Sequence, residues 1–129
     1  MEVKFYKCSA CGNLLIPAID GGVTPECCGM EMDELQAGVT DAAVEKHVPV
    51  IVRNPDGIHI DINVGSVEHP MTADHFIEVI VLLLDKRIYI FNLSAGDEPT
   101  VLCGYKDNTV PMKAYAYCNL HGLWASTEG

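Results

Sequence analysis

The sequence has 129 residues, enough for one ordinary domain or for a small module followed by a larger one. It carries 18 acidic and 8 basic side chains, and a formal net charge of -10 with no basic stripe argues against nucleic acid and anionic membranes as partners. The longest apolar run, residues 76–84, is too short to span a bilayer, and residues 1–5 show no export signal, so we expect a soluble cytoplasmic protein.

Residues 1–36 are predicted to be a small metal-bound module. Cys8 and Cys11 make a CxxC turn, and the adjacent pair Cys27 and Cys28 follows a Gly- and Pro-rich stretch. Without an export signal, thiolate ligands are favoured over disulfides. A module this short buries too little apolar surface to hold itself together, so a metal is expected to stabilise it. The four-thiolate spacing leaves zinc and iron open.

Residues 37–44 are small and weakly patterned, and we predict a linker. Residues 45–129 indicate β-structure throughout, because short alternating or apolar runs are separated by turns and no long amphipathic helix is evident. The predicted strands are 48–52, 58–64, 76–84, 87–93, 100–103 and 113–118. This pattern predicts a mainly β protein in which an immunoglobulin-like antiparallel β-sandwich follows the module.

A cysteine and a histidine lie three residues apart near the end of the chain, at Cys118 and His121. On a straight strand such side chains point to opposite faces. Both can therefore bind one ion only if the chain bends at Asn119 and Leu120, which Asn119 and the following Gly122 favour. The sequence predicts half of a metal site at this turn.

All five histidines lie in the second domain. His59 alternates with the isoleucines of its strand, so we expect it on the solvated face and give it no role. The other four occupy predicted strand ends or loops, where side chains from separate segments can converge. These four are His47, His69, His75 and His121. Each alone is most simply interpreted as a surface histidine, but together with Cys118 they make a plausible set of five ligands.

The sequence closely resembles the desulfoferrodoxins, the two-iron form of superoxide reductase. The matching segments follow one another in the family's order and cover the chain from end to end. They are YKCSACGN (6–13), CCG (27–29), EKHVPVI (45–51), VGSVEHPM (64–71), HFIE (75–78) and YCNLHG (117–122). The combination of EKHVPVI, HPM and CNLHG is highly specific.

The resemblance implies two metal sites of different kinds. The first is a desulforedoxin-like iron, or zinc, bound by four thiolates. Its ligands would be Cys8, Cys11, Cys27 and Cys28. The second is a non-haem iron with four imidazoles in a plane, one axial thiolate and the opposite position open. Its ligands would be His47, His69, His75 and His121 in the plane and Cys118 on the axis.

The activity that the resemblance implies is the one-electron reduction of superoxide to hydrogen peroxide. The electrons would come from a small carrier such as rubredoxin, and the implied assembly is a homodimer. Glu45 and Lys46 match the family's catalytic pair beside the open position. Lys46 would attract superoxide and order a proton-donating water, and Glu45 would bind ferric iron once the product leaves.

Formal charge supports an anionic substrate at the second site. Four neutral imidazoles and one thiolate around ferrous iron leave about +1, rising to about +2 on oxidation. That local charge would draw a small anion to a protein whose net charge is -10. An axial thiolate would also donate electron density to the iron.

Three positions stand apart from the family pattern. Phe76 and Val79 occupy places where relatives often carry tryptophans near the site. Cys103 matches no ligand position and is expected to be a buried apolar thiol. Two other functions remain open on the residues: an electron-transfer protein that uses only the N-terminal iron, and a non-redox module with structural zinc in one or both sites.

Overall fold

The computed structural model describes residues 2–38, 47–65 and 69–126. The chain divides into two compact units, Glu2–Gln36 and Ala37–Gly129. Every regular element among the described residues is a β-strand, which confirms the predicted mainly β fold. Correspondingly, that part of the chain contains no helix long and apolar enough to cross a membrane.

The N-terminal unit consists of very short strands. They are β1 (Tyr6–Lys7), β2 (Leu14–Leu15), β3 (Glu26–Cys27), β4 (Met30–Glu31) and β5 (Asp33–Glu34). Strand β1 pairs with β2 and β5 in an antiparallel sheet, and β3 and β4 form a separate hairpin. The buried cluster here is small and is formed by Tyr6, Cys8 and Met32. So little apolar burial is consistent with a unit that a bound metal would stabilise.

The second unit is an antiparallel β-sandwich. Its strands are β6 (Pro49–Arg53), β7 (His59–Val64), β8 (Ile77–Leu84), β9 (Arg87–Asn92), β10 (Thr100–Gly104), β11 (Met112–Cys118) and β12 (Gly122–Ala125). One sheet has the order β10-β7-β6 and the other has the order β12-β11-β8-β9. Their facing side chains form one core, as two amphipathic sheets require.

Strand β8 is the centre of the larger sheet, and every one of its residues except Glu78 is buried. Its neighbour β11 contributes Ala114 and Ala116, both fully buried. Strand β7 faces them with Ile60 and Ile62, and this alternation follows the sequence pattern. Strands β8 and β11 therefore form the most deeply buried part of the sandwich.

Strand β12 was not predicted from the sequence. It is four residues long and pairs with β11 immediately after the turn at residues 119–121. Gly38 runs parallel to it through a bridge to Trp124. A strand this short has too few residues for an alternation to show, and its pairing with β11 determines its conformation.

Candidate metal centres

The N-terminal unit brings four sulfur atoms together. Those of Cys8, Cys11, Cys27 and Cys28 all lie within 4.8 Å of one another. The sulfur of Cys27 is 3.6 Å from that of Cys11 and 3.9 Å from that of Cys28. A tetrahedral ion with metal–sulfur distances of about 2.3 Å would hold its sulfurs about 3.8 Å apart. The group therefore fits a tetrahedral zinc or iron ion.

A two-residue hairpin explains how adjacent cysteines can face the same ion. Cys27 ends β3 and pairs with Met30, so that Cys28 and Gly29 form the loop. Both loop residues have positive φ, 54° at Cys28 and 76° at Gly29. Positive φ at both positions is the signature of a type I′ turn. The turn carries Cys28 back over the strand end, beside Cys27.

Hydrogen bonds and mutual contacts shift the thiols in opposite directions. The backbone N–H of Cys11, 3.5 Å from the Cys8 sulfur, lowers the pKa of Cys8 to about 6. Contacts with the thiols of Cys8 and Cys11 raise the pKa of Cys27 to about 12. Four sulfurs this close cannot all ionise unless a cation compensates their charge. A bound metal ion supplies that charge.

The sandwich assembles a second cluster at one end. His47 lies two residues before β6, His75 lies two residues before β8, and Cys118 ends β11. Because β6 begins opposite the end of β7, His69, which follows β7, is brought to the same end. Cys118 pairs with Ile77, so the end of β11 meets the start of β8. Antiparallel pairing thus gathers segments that are distant in sequence.

The four imidazole rings form a square. Neighbouring ring centroids are 4.7 Å apart for His47–His69 and His69–His75, 5.0 Å for His75–His121 and 4.9 Å for His47–His121. The diagonal between His47 and His75 is 6.3 Å. Neighbouring rings are steeply inclined to each other, by 62° to 83°. The arrangement surrounds one point with four rings.

Ligand atoms converge on that point. The His47 Nε2 atom lies 3.1 Å from His121 Nδ1, close to the separation of about 3 Å for two nitrogens bound at right angles with metal–nitrogen distances near 2.1 Å. Donor atoms of His47, His75, Cys118 and His121 all lie within 4.8 Å of one another. His69 is outside that tight group, yet its ring is as close to His47 and His75 as any other neighbouring pair is. We therefore include His69 in the square.

The tautomer of His69 is set by its neighbour. Its Nδ1 lies 2.7 Å from the carbonyl oxygen of Pro70, and since a carbonyl only accepts, Nδ1 carries the proton. The lone pair is then on Nε2, which is shielded from solvent. A hydrogen bond that fixes the protonated nitrogen leaves the other available to bind a metal.

Cys118 directly precedes a three-residue hairpin loop, and His121 is the last residue of that loop. Cys118 pairs with Gly122 across residues 119–121, and Gly122 has a φ of 80°. The residue that directly follows the loop is therefore left-handed, and glycine adopts that conformation without strain. The bend predicted at Asn119 and Leu120 is thus present. A register shift between Tyr117 and Cys118 also displaces the fully buried Cys118 from the regular ladder.

Asn119 ties this loop to the segment that carries His75. Its side-chain oxygen accepts from the Phe76 N–H at 2.9 Å, and its side-chain nitrogen donates to the Asp74 carbonyl at 3.0 Å. Its backbone N–H donates to the Phe76 carbonyl at 3.2 Å. The residues on both sides of His75 are thereby held against the turn that presents Cys118. The sequence indicated only the bend at Asn119, because no local pattern reveals a side-chain bond across 43 residues.

Other predicted residues lie elsewhere. Glu45 and Lys46 fall outside the described residues. His59 is exposed at the start of β7, the end remote from His69, and pairs with Asp56 in the preceding turn. Cys103 is half-buried, and burial raises the pKa of its thiol.

Comparison with known proteins points to one family. Residues 39–127 match the family model described as Desulfoferrodoxin. The desulfoferrodoxin of Syntrophotalea carbinolica is 44% identical over 125 residues, which cover 97% of this chain and 96% of that protein. The crystal structure of the superoxide reductase from Treponema pallidum has a TM-score of 0.81 and 28% identity, and covers 96% of this chain and 97% of that one. The superoxide reductase (neelaredoxin) from Archaeoglobus fulgidus covers 72% of this chain and 95% of its own, with a TM-score of 0.58 and 26% identity.

The hairpin at Cys28 and Gly29 makes a prediction about the first site. Replacing Gly29 with Ala should weaken metal binding by the four cysteines roughly fivefold, since a Cβ at positive φ costs about 1 kcal/mol. The Cβ itself would meet nothing within 4 Å, so strain in the backbone is the only effect. Competition with a chelator, followed through the thiolate–metal absorption, measures the change. Gly21→Ala is the control, because Gly21 is equally open and lacks a positive φ. Equal affinities in the two variants would contradict a role for the turn's handedness.

A second prediction concerns Asn119. Asn119→Ala removes both side-chain bonds to the His75 segment and should reduce metal affinity at the histidine site about tenfold, the usual effect of losing a residue that orients ligands. Metal titration of the apoprotein measures it, with the four-cysteine site as an internal reference. Leu120→Ala is the matched control, since Leu120 belongs to the same turn and its side chain is 60% exposed. If both variants bind alike, Asn119 does not hold the two segments together.

Proposed function

This chain belongs to the desulfoferrodoxin family, and on that premise we propose that it is a superoxide reductase. The reaction takes one superoxide, one electron and two protons to one hydrogen peroxide. It needs a redox-active centre with an accessible position that attracts an anion and a source of protons. The superoxide reductase from Treponema pallidum shares its fold over 96% of this chain.

The observation that carries this proposal is the square of imidazoles with Cys118 beside it. Structural zinc is held by four tetrahedral ligands. Four rings in a square, together with a buried thiol, offer five donors in another geometry. This arrangement favours a redox-active iron over structural zinc at the histidine site. The tetrahedral sulfur group suits iron equally well, and we propose iron in both sites.

The proposed metal ligands divide as the sequence predicted. The first site would be bound by Cys8, Cys11, Cys27 and Cys28. The second would be bound by His47, His69, His75 and His121 together with Cys118. An iron bound by these residues would supply one-electron redox chemistry for the reduction of superoxide.

The protein's own contribution is to keep the donors in place and the local charge positive. Neutral imidazoles add no negative charge, and the Pro70 carbonyl keeps His69 in the tautomer with its lone pair on the buried Nε2. Cys118 supplies the single anionic donor and is fully buried, so water cannot compete for its sulfur. Positive local charge then attracts superoxide despite the net charge of -10.

We propose roles for Glu45 and Lys46 from their place in the EKHVPVI segment, directly before His47. Lys46 would attract superoxide and order the water that donates protons. Glu45 would bind the ferric site after peroxide has left. A cation near the reacting anion increases the encounter rate, and a carboxylate is a suitable ligand for the harder ferric ion.

Further proposals concern the donor, the assembly and the compartment. A small carrier such as rubredoxin would deliver electrons one at a time, as the reaction requires. The small core of the N-terminal unit favours burial against a second copy, and so a homodimer. A reducing cytoplasm would keep thiolates available, and none of the six cysteines, all of which are described, is in a disulfide.

The test uses anaerobically purified protein carrying its metal. We expect metal analysis to give iron and superoxide pulses to yield hydrogen peroxide without oxygen. Oxygen release would indicate a dismutase. Protein that does not react with superoxide would favour the alternative function, electron transfer without catalysis. Cys118→Ser should abolish peroxide formation and the thiolate–iron band of the second site, while leaving the four-cysteine band unchanged. Cys103→Ser is the matched control and should retain both. A fully active Cys118→Ser variant would sink the proposal.

Lys46 gives a kinetic prediction. Lys46→Ala should lower the second-order rate constant with superoxide roughly tenfold and flatten its dependence on ionic strength, because a charge that steers the anion is lost. Pulse radiolysis at several salt concentrations measures both. Lys86→Ala removes the same charge from the exposed turn after β8, the strand end remote from the site, and should have no effect. Glu45→Ala should leave the rate intact and change the oxidised spectrum. A Lys46→Ala rate equal to that of Lys86→Ala would exclude Lys46 from the mechanism.

A further inference from the structure

Trp124 contacts two of the four histidines and has no place among the ligands. Its indole ring stacks on the imidazole of His47, with centroids 4.8 Å apart and planes inclined by 16°. Its Nε1–H donates to the backbone carbonyl of His121 at 3.2 Å. It is the only tryptophan in the chain. Its position three residues after His121 is the one sequence signal for a role beside the histidines.

The indole is itself confined. Trp124 lies in β12 opposite Ala116 of β11, so its backbone is fixed by the larger sheet. Gly38 is hydrogen-bonded to the two residues that flank Trp124. The Gly38 N–H donates to the Leu123 carbonyl at 2.9 Å, and the Gly38 carbonyl accepts from the Ala125 N–H at 2.8 Å. A Cβ at Gly38 would come within 2.7 Å of the indole. The ring therefore has Gly38 backbone against it and cannot shift in that direction.

We propose that Trp124 is a positioning residue for the histidine site, which fixes the ring plane of His47 and the carbonyl of His121. A histidine ring can rotate about its side-chain bonds even when its backbone is fixed. Stacking against an immobile indole removes that freedom at His47, and the N–H bond fixes the peptide that follows His121. These two rings are neighbours in the square, with His47 Nε2 and His121 Nδ1 3.1 Å apart. One side chain thus sets the relative orientation of two donors.

The inference deepens the proposed function and rests on it for the identity of the metal. Its test can nevertheless be read without superoxide. Co(II) added to apoprotein reports the geometry of its ligands through its visible bands, whatever activity the iron form has. Because the protein has a single tryptophan, quenching of its fluorescence reports metal bound beside Trp124. Failure of superoxide reduction would therefore overturn the proposed function and leave this measurement interpretable.

Two substitutions separate the two contacts. Trp124→Phe keeps a ring that can stack and loses the N–H, whereas Trp124→Leu loses both. In Trp124→Leu we expect a chelator to remove metal from the histidine site about tenfold faster, with altered Co(II) bands and a broadened ferric electron paramagnetic resonance signal. Trp124→Phe should lie between this variant and the natural protein. The four-cysteine site in the same molecule should be unaffected.

The control is Phe91→Leu, which removes another half-buried aromatic ring, in β9 of the same sandwich. If Trp124 only fills space, both leucine variants will lower the melting temperature, and the Co(II) bands, resonance signal and rate of metal loss will match those of the natural protein. That outcome would overturn the proposal. Changes in these three readouts confined to the Trp124 variants would support it.

A substitution at Gly38 tests the same contact between Trp124 and His47 from the Gly38 side of the indole. Gly38→Ala should alter the Co(II) bands because its Cβ displaces the indole from His47. In the Trp124→Leu background the same substitution should add nothing, since residues acting through a shared contact are not additive. A full additional effect in the double variant would show that Gly38 acts by another path and would remove this support.

Discussion

The structure of the second site depends on one short hairpin loop. Residues 119–121 must turn the chain so that Cys118 and His121 reach the same point, which the positive φ of Gly122 allows. The loop must also keep a fixed position relative to the start of β8, and the hydrogen bonds between Asn119 and residues 74 and 76 hold it there. Those bonds place His75 at the same time. A single polar side chain therefore couples donors from two segments.

Rigid strand ends make such a loop effective. The central strands β8 and β11 are almost wholly buried, and their adjoining ends carry His75 and Cys118. Sites held within fractions of an ångström require elements that cannot move, and loops alone do not provide them. The remaining rings are then constrained from outside the square. Pro70 fixes the tautomer of His69, and Trp124 covers one face of His47. The donors are ordered by neighbours whose own positions are set by the sheet.

The sequence predicted the strands better than the contacts between them. Alternation over 58–64 and the apolar run at 76–84 were sufficient, because burial produces both patterns. On β6 the sequence did not show which side chains point toward the core. Val50 and Val52 are about 40% and 44% exposed, because Ile51 pairs with Ile62 and takes the inward position. The histidines were visible only as loop residues, and the family motifs, not periodicity, joined them into one set. The Asn119 bond to Phe76 and the stacking of Trp124 on His47 join residues far apart in sequence, and such contacts leave no local pattern.

The two metal groups depend on the fold in opposite ways. The sandwich has a continuous core of its own, extending through β7, β8 and β11, so its histidines are arranged by packing that does not involve a metal. The buried cluster of the N-terminal unit has three members, one of which is Cys8. There a bound ion would join segments that little apolar burial holds together, and metal binding would contribute directly to folding. A preorganised set of donors can keep its geometry when the charge of a bound metal changes, because the sheet and not the metal fixes that geometry. That property suits a site whose metal must accept and donate electrons repeatedly, and it explains why the redox chemistry is best assigned to the sandwich.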